Sequence, residues 1–194
     1  TTIQIDDIDT TGFTVIDAGP APIAELLDNK NIVAMFNGCA EAGPRALGNR
    51  SILYDPRDPD GKQFVNIVKG REWFRPFAPS ILEEDASEWF LDYQESPYMQ
   101  FVLKFKEDKK SLVPAVVHQD GTARLQTVRK EDNEWYYNFL TKWKEKSGVP
   151  IILNTSFNDR EPICEDVSHS IKCFLGTNID CLYFPEYSKV LFRK

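Results

Sequence analysis

Apolar and polar positions along this chain fall into short blocks, and most blocks end at a recognisable stop. Ile32-Val33-Ala34-Met35-Phe36 is a continuous apolar run of strand length, closed by the turn signal Asn37-Gly38. Ser51-Ile52-Leu53-Tyr54 repeats the pattern ahead of Asp55-Pro56. Ile151-Ile152-Leu153 predicts a further buried strand, and Ser80-Ile81-Leu82, Tyr98 to Phe105, Cys181 to Phe184 and Val190 to Phe192 read as strands. Helical spacing governs Pro22 to Asp28, where Ile23, Leu26 and Leu27 share one side behind a first-turn proline. It returns in Gln63 to Val68, with Phe64, Ile67 and Val68 on the apolar side, and in Glu84 to Leu91 and Asp166 to Leu175. Glu131 to Lys146 is the longest helix candidate, with Trp135, Phe139 and Trp143 four apart, and Gly148-Val149-Pro150 ends it. Val113 to Val117 and Ala123 to Val128 flank His118-Gln119-Asp120-Gly121, a hairpin signature.

Strands and helices in this irregular order predict a mixed α/β domain, α+β-like, with helices packed on a twisted mixed sheet. Strict strand–helix alternation is missing, so a doubly wound parallel sheet is not expected. Residues 1–20 read as an irregular lead-in or an edge strand ending at Gly19-Pro20, followed by one domain over 21–194. With 194 residues and 42% hydrophobic positions, the chain can build a sizeable core without disulfide staples. No apolar run approaches the roughly 18 residues of a membrane span. The start, Thr1-Thr2-Ile3-Gln4, lacks the pattern of a secretion signal.

Cysteine usage points the same way. Cys39, Cys164, Cys173 and Cys181 form no Cys-x-x-Cys pair, and His118 and His169 lie far apart, so a structural zinc site is not expected. Free thiols fit a reducing, cytoplasmic setting, and Cys164, Cys173 and Cys181 fall in or beside apolar segments.

The net charge of −7 argues against a general nucleic-acid binder. Its distribution is uneven. From Arg45 to Arg75 seven cations face four acids, a basic island that suits a focused anion site.

Three polar segments sit at predicted strand ends, where loops carry function. Glu41 to Arg50 combines Gly43, Pro44 and Gly48 with Arg45, Asn49 and Arg50, offered outward for an oxyanion such as phosphate or carboxylate; solvated arginines on a structural turn are the alternative. Lys69 to Pro79 interleaves Lys69, Arg71 and Arg75 with Trp73, Phe74 and Phe77. Aromatic rings there lower the local dielectric around a charge, or simply belong to the core. Leu153 to Asn158 carries Asn154, Thr155, Ser156 and Asn158, short hydrogen-bonding side chains that suit a phosphate or carbonyl, or ordinary turn chemistry. Arg124 interrupts an apolar strand, so it either meets an anion or faces solvent. Phosphate-loop, dinucleotide and nucleophile-elbow motifs are missing, and the site reads as cations and dipoles that stabilise negative charge. Phosphoryl or nucleotidyl transfer fits that pattern.

The run Gly43 to Leu53, then Asp55-Pro56-Arg57, Asn66 to Lys69, Arg71-Glu72 and Phe74 to Ser80 resembles the carboxy-terminal domain of the O-carbamoyltransferases. Asp120 to Val128 and Asn154 to Asn158 match its later motifs in order, so the resemblance covers roughly residues 30–185. That family acts on nodulation factors, cephalosporins and aminoglycosides. The resemblance implies a single YrdC-like domain that binds ATP and carbamoyl phosphate with Mg²⁺. Carbamate released from carbamoyl phosphate attacks the α-phosphate of ATP, giving carbamoyladenylate and pyrophosphate. A separate amino-terminal domain, related to threonylcarbamoyl transferases, then passes the carbamoyl group to an acceptor hydroxyl.

Carried onto this chain, the resemblance makes Arg45, Lys69 and Arg75 the catalytic candidates. Arg124, Asn154 and Ser156 join them as substrate contacts, beside Asn49 and Arg50 of the first segment. No residue of this chain is assigned to a metal. Cys39 stands where the family usually has Arg, Ala42 replaces an aromatic, and the segment after Asn158 is one residue short of the family pattern. A non-catalytic nucleotide- or phosphate-binding module is the alternative reading, with a nucleic-acid-binding YrdC-like domain behind it.

Overall fold

The computed structural model describes residues 10–41 and 43–194. The residues 1–9 of the predicted lead-in lie outside them. Eight strands form one mixed sheet in the spatial order β1 (Phe13–Asp17), β10 (Lys189–Arg193), β9 (Cys181–Phe184), β2 (Val33–Phe36), β3 (Arg50–Tyr54), β8 (Ile151–Ser156), β4 (Ala78–Leu82), β7 (Gln126–Val128). The pairs β2/β9 and β4/β7 are parallel and the other five antiparallel. A two-stranded antiparallel ribbon, β5 (Val102–Lys104) and β6 (Thr122–Arg124), stands apart from it. Five α-helices complete the domain: α1 (Pro20–Asp28), α2 (Gly61–Val68), α3 (Glu83–Trp89), α4 (Glu134–Ser147) and α5 (Val167–Gly176).

The central strands β2, β3, β4 and β9 are buried along their whole length, as continuous apolar runs require. Helix α4 shows how local chemistry sets a boundary. Asn133 accepts the Tyr136 backbone N–H at 2.9 Å, so the helix starts at Glu134 and not Glu131. Gly148, with φ +79°, closes it in the left-handed conformation. Its core stripe is Tyr136, Phe139, Leu140 and Trp143, with Trp135 only half-buried, and Trp143 Nε1 donates to the Ile151 carbonyl at 2.6 Å. Asp166 caps α5 by accepting from His169 N at 2.8 Å. Cys164, Cys173 and Cys181 are buried, as predicted, while Cys39 is exposed.

Four predicted elements change. Val113 to Val117 is no strand: Pro114 lacks an amide hydrogen, and Pro114–Val116 forms a 3₁₀ turn with Ala115 and Val116 in the core. The predicted hairpin is therefore absent, and Ala123 to Val128 splits between β6 and β7, in different sheets. Tyr98 to Phe105 shortens to β5, because Gln100 Oε1 accepts from Tyr98 N at 2.8 Å and Ser96 Oγ from Phe101 N at 3.2 Å. In α2 the expected apolar side is turned over. Phe64 and Ile67 are exposed, while Val65 and Asn66 face inward, and the Asn66 amide donates to the carbonyls of Trp73 (3.1 Å) and Arg75 (2.9 Å). A local polar role for Asn66 outweighs the amphipathic pattern there. No helix among the described residues is long and apolar enough to cross a membrane.

Candidate functional site

The ends of β4, β6 and β8 and the loop before β3 border a cleft of about 90 Å³. Its lining includes Arg45, Arg71, Phe77, Arg124, Asn154 and Ser156. A more open groove continues from it past Arg45, Lys69, Arg71, Arg75 and Arg160. The antiparallel pairing of β8 with both β3 and β4 sets Asn154 opposite Leu53 and Ala78, which brings the second and third sequence segments to one place.

Charge in this region is one-sided. The carboxylates along the open groove are Glu72 and Glu161; Glu72 pairs with Arg75 at 2.7 Å, and Glu161 lies 3.3 Å from His169 and 3.5 Å from Lys172. Arg45, Arg71 and Arg124 have no ion pair with any described carboxylate. Burial lowers the pKa of Arg124, and neighbouring Arg45 adds to the effect. Burial lowers Arg71 likewise, reinforced by Arg75. The Arg124 Nε is buried and has no hydrogen-bond partner. An unpaired, desolvated guanidinium is costly, and an incoming anion would relieve it.

Asn154 supplies the complementary group. Its Nδ2 lies within hydrogen-bond distance of the Ala46 carbonyl (3.1 Å), Ser80 Oγ (3.0 Å) and Gln126 Oε1 (3.1 Å). Its Oδ1 is buried without a partner. The cleft thus holds one unmet donor, on Arg124, and one unmet acceptor, on Asn154.

Lys69 does a different job from a free phosphate clamp. Its ammonium donates to the Ser156 carbonyl, to the Asn158 carbonyl at 3.2 Å and to Asn158 Oδ1 at 2.8 Å. Ser156 Oγ donates to the same Asn158 Oδ1 at 2.8 Å. Lys69 therefore fastens the end of α2 to the loop after β8. Burial, with Arg71 nearby, pushes its pKa down to about 7.

The two outer members of the first segment turn inward, against the outward orientation expected of them. Arg50 is buried and spends its guanidinium on the carbonyls of Asn37 (2.7 Å), Gly38 (2.9 Å), Asn49 (3.0 Å) and Cys164 (3.1 Å), with the Phe36 ring 3.5 Å away. Asn49 donates to the Cys39 carbonyl at 3.1 Å, while its backbone N–H meets Glu41 Oε1 at 2.6 Å. Neither lines the cationic cleft. Both organise the loop that presents Arg45.

Arg71, Arg160, Ser80 and Gln126 are not among the site candidates drawn from the sequence. Arg71 stood within the basic segment and was legible as a cation. Arg160 was not: its guanidinium packs over Gly70, whose φ of +58° and missing side chain leave room for it. Ser80 and Gln126 look like ordinary strand residues until the sheet places them beside Asn154.

Among the described residues no group of three or more His, Cys, Asp or Glu side chains could hold a metal ion. With Glu72 and Glu161 already paired, the donor set of the cleft does not fit a metal held by the described residues.

The fold is that of the YrdC-like domains. The structure superposes on full-length HypF in its phosphate- and nucleotide-bound form with a TM-score of 0.58 at 20% identity, covering 80% of this chain and 23% of that one. It superposes equally on P. abyssi Sua5 complexed with L-threonine, TM-score 0.58 at 16% identity, covering 84% and 45%. At those identities the likeness is one of fold. The family model "Carbamoyltransferase C-terminus" matches residues 24–190, and the chain belongs to that family. It is 48% identical over 169 residues to nodulation protein NolNO of Sinorhizobium fredii, covering 84% of this chain and 25% of that protein. It is 47% identical over 164 residues to NolO of Bradyrhizobium diazoefficiens, covering 82% and 30%. The chain thus spans between a quarter and a third of the length of these relatives.

Proposed function

We propose that this domain binds ATP and carbamoyl phosphate in the cationic cleft and joins them into carbamoyladenylate. The observation that carries the reading is the pairing of unsatisfied groups: arginines without carboxylates at the cleft, with a buried orphan donor on Arg124 and a buried orphan acceptor on Asn154. Phosphate oxygens complement the arginines, and a carbamoyl N–H complements Asn154 Oδ1.

In this reading water cleaves the acyl-phosphate bond of carbamoyl phosphate, giving phosphate, carbamate and a proton. A carbamate oxygen then attacks the α-phosphorus of ATP, and pyrophosphate leaves with the bond's electron pair. Arg45, Arg71 and Arg124 neutralise the phosphates, and Arg75 reaches the open groove if it exchanges Glu72 for a phosphate. Lys69 and Ser156 hold the loop after β8 in place. Mg²⁺ would arrive with the nucleotide, held by phosphate and water oxygens. Transfer to an acceptor hydroxyl belongs to the further length that the relatives possess.

Pyrophosphate release from ATP and Mg²⁺, measured with and without carbamoyl phosphate, tests the proposal. Carbamoyl-phosphate-dependent release that falls at least about tenfold in Arg45→Ala and Arg124→Ala supports it. Calorimetric binding of ATP with no such release would leave a non-catalytic phosphate-binding module.

A further inference from the structure

The orientation of Asn154 is not its own doing. Gln126, on β7, lies 4% exposed beneath the cleft and donates through Nε2 to the Leu47 carbonyl at 2.9 Å. That bond forces Oε1 to the other side, where it accepts from Ser80 Oγ at 2.7 Å and from Asn154 Nδ2 at 3.1 Å. The Ala46 carbonyl takes Asn154 Nδ2 as well. Reversing the Asn154 amide would set its Oδ1 against two oxygens that carry no hydrogen, Ala46 O and Gln126 Oε1. Reversing Gln126 would set Oε1 against Leu47 O. Two successive carbonyls of the loop before β3 therefore determine the polarity of two side-chain amides, one on β7 and one on β8.

We propose that Gln126, with Ser80, is a positioning residue that makes the cleft selective for an acyl group bearing N–H. By holding Asn154 with its acceptor oxygen unspent, it favours a carbamoyl group, which can donate there, over an acetyl group of the same shape, which cannot. The inference rests on the proposed function and deepens it. A site built to accept a hydrogen bond loses it outright when the ligand brings a methyl group instead.

The test compares carbamoyl phosphate with acetyl phosphate, by calorimetric affinity and as activator of pyrophosphate release, in the wild-type chain and in Gln126→Leu. The wild type is expected to favour carbamoyl phosphate by about tenfold or more. Gln126→Leu removes one of the two fixed acceptors and frees the Ser80 hydroxyl to donate, so the reversed Asn154 orientation, opposed by the Ala46 carbonyl alone, becomes populated. Its preference is expected to shrink severalfold, with acetyl phosphate affinity held or improved. Gln126→Met, closer in volume and equally without the amide, serves the same comparison if Gln126→Leu does not fold, as judged by thermal melting. A purely structural role would weaken both ligands equally, and an unchanged preference ratio in the folded variant would overturn the inference. So would a wild type that binds the two acyl phosphates alike, although the proposed function would survive that result. Binding of neither ligand would overturn the proposed function itself, and the inference with it.

Discussion

The Lys69 ammonium lies 2.8 Å from Asn158 Oδ1 across 89 positions of sequence, and this contact joins the end of α2 to the loop after β8. Burial brings its pKa to about 7, below the ordinary lysine value of 10.5. Between those values the unfolded chain holds a proton that the folded chain has released, so stability rises with pH across that window. Below about pH 7 both states are charged and the burial cost is present in full. The melting temperature of the wild type, measured against Lys69→Met, is expected to gain from pH 7 to pH 10. A pH-independent difference would show that the three oxygens around the ammonium fully offset its burial.

Arg124 poses the opposite trade. Its half-buried guanidinium lacks a counter-charge, so Arg124→Met, which keeps the apolar stem, should melt at the same temperature or higher. The same variant should bind pyrophosphate at least about tenfold more weakly, since each charge-assisted hydrogen bond contributes roughly 1.5–3 kcal/mol. Calorimetry and a thermal melt on one preparation read both effects. Loss of stability without loss of affinity would remove Arg124 from the site.

Arg57 is a structural cation and should behave as one. It meets Asp28 at 2.5 Å, Asp55 at 2.7 Å and the Ser147 carbonyl at 3.0 Å, tying the start of α2's approach to α1 and to the end of α4. Asp55 is buried, so Arg57→Ala would strand its charge. A loss of about 3 kcal/mol in urea unfolding is expected, with anion affinity unchanged in the protein that remains folded.

Gly48 limits the loop that presents Arg45. Its φ is +119°, and a side-chain carbon there would come within 2.6 Å of the Tyr136 ring, which is fully buried. Gly48→Ala should destabilise the domain by about 2–4 kcal/mol, because neither the backbone nor the packed ring can yield cheaply. Displacement of the adjacent Leu47 carbonyl should also weaken anion binding, read by calorimetry well below the melting temperature.

Much of this architecture was legible in the order of residues. The apolar runs at 32–36, 51–54, 151–153 and 181–184 became strands because a buried strand needs little beyond a short hydrophobic stretch with a stop. Asn133, Gly148 and Asp166 set helix ends through bonds that span only a few residues. The polar segments holding Arg45, Arg71, Arg75 and Asn154 were visible as clusters of chemistry out of place in a core. Where a nearby residue reversed the pattern, as Pro114 and Asn66 do, the local signal misled.

Tertiary structure decided which of these groups are free to act. Arg45 and Arg50 are indistinguishable as neighbouring cations of one loop, yet Arg50 is consumed by carbonyls, one of them 114 positions away, while Arg45 faces the cleft. Lys69 is likewise spent on residues 156–158, and the ordinary strand residues Ser80 and Gln126 acquire a role from Asn154 alone. Local patterning records how a segment folds, since propensity and burial are properties of neighbouring positions. Whether a donor or acceptor is left over depends on partners from distant segments, and only the assembled sheet brings those together.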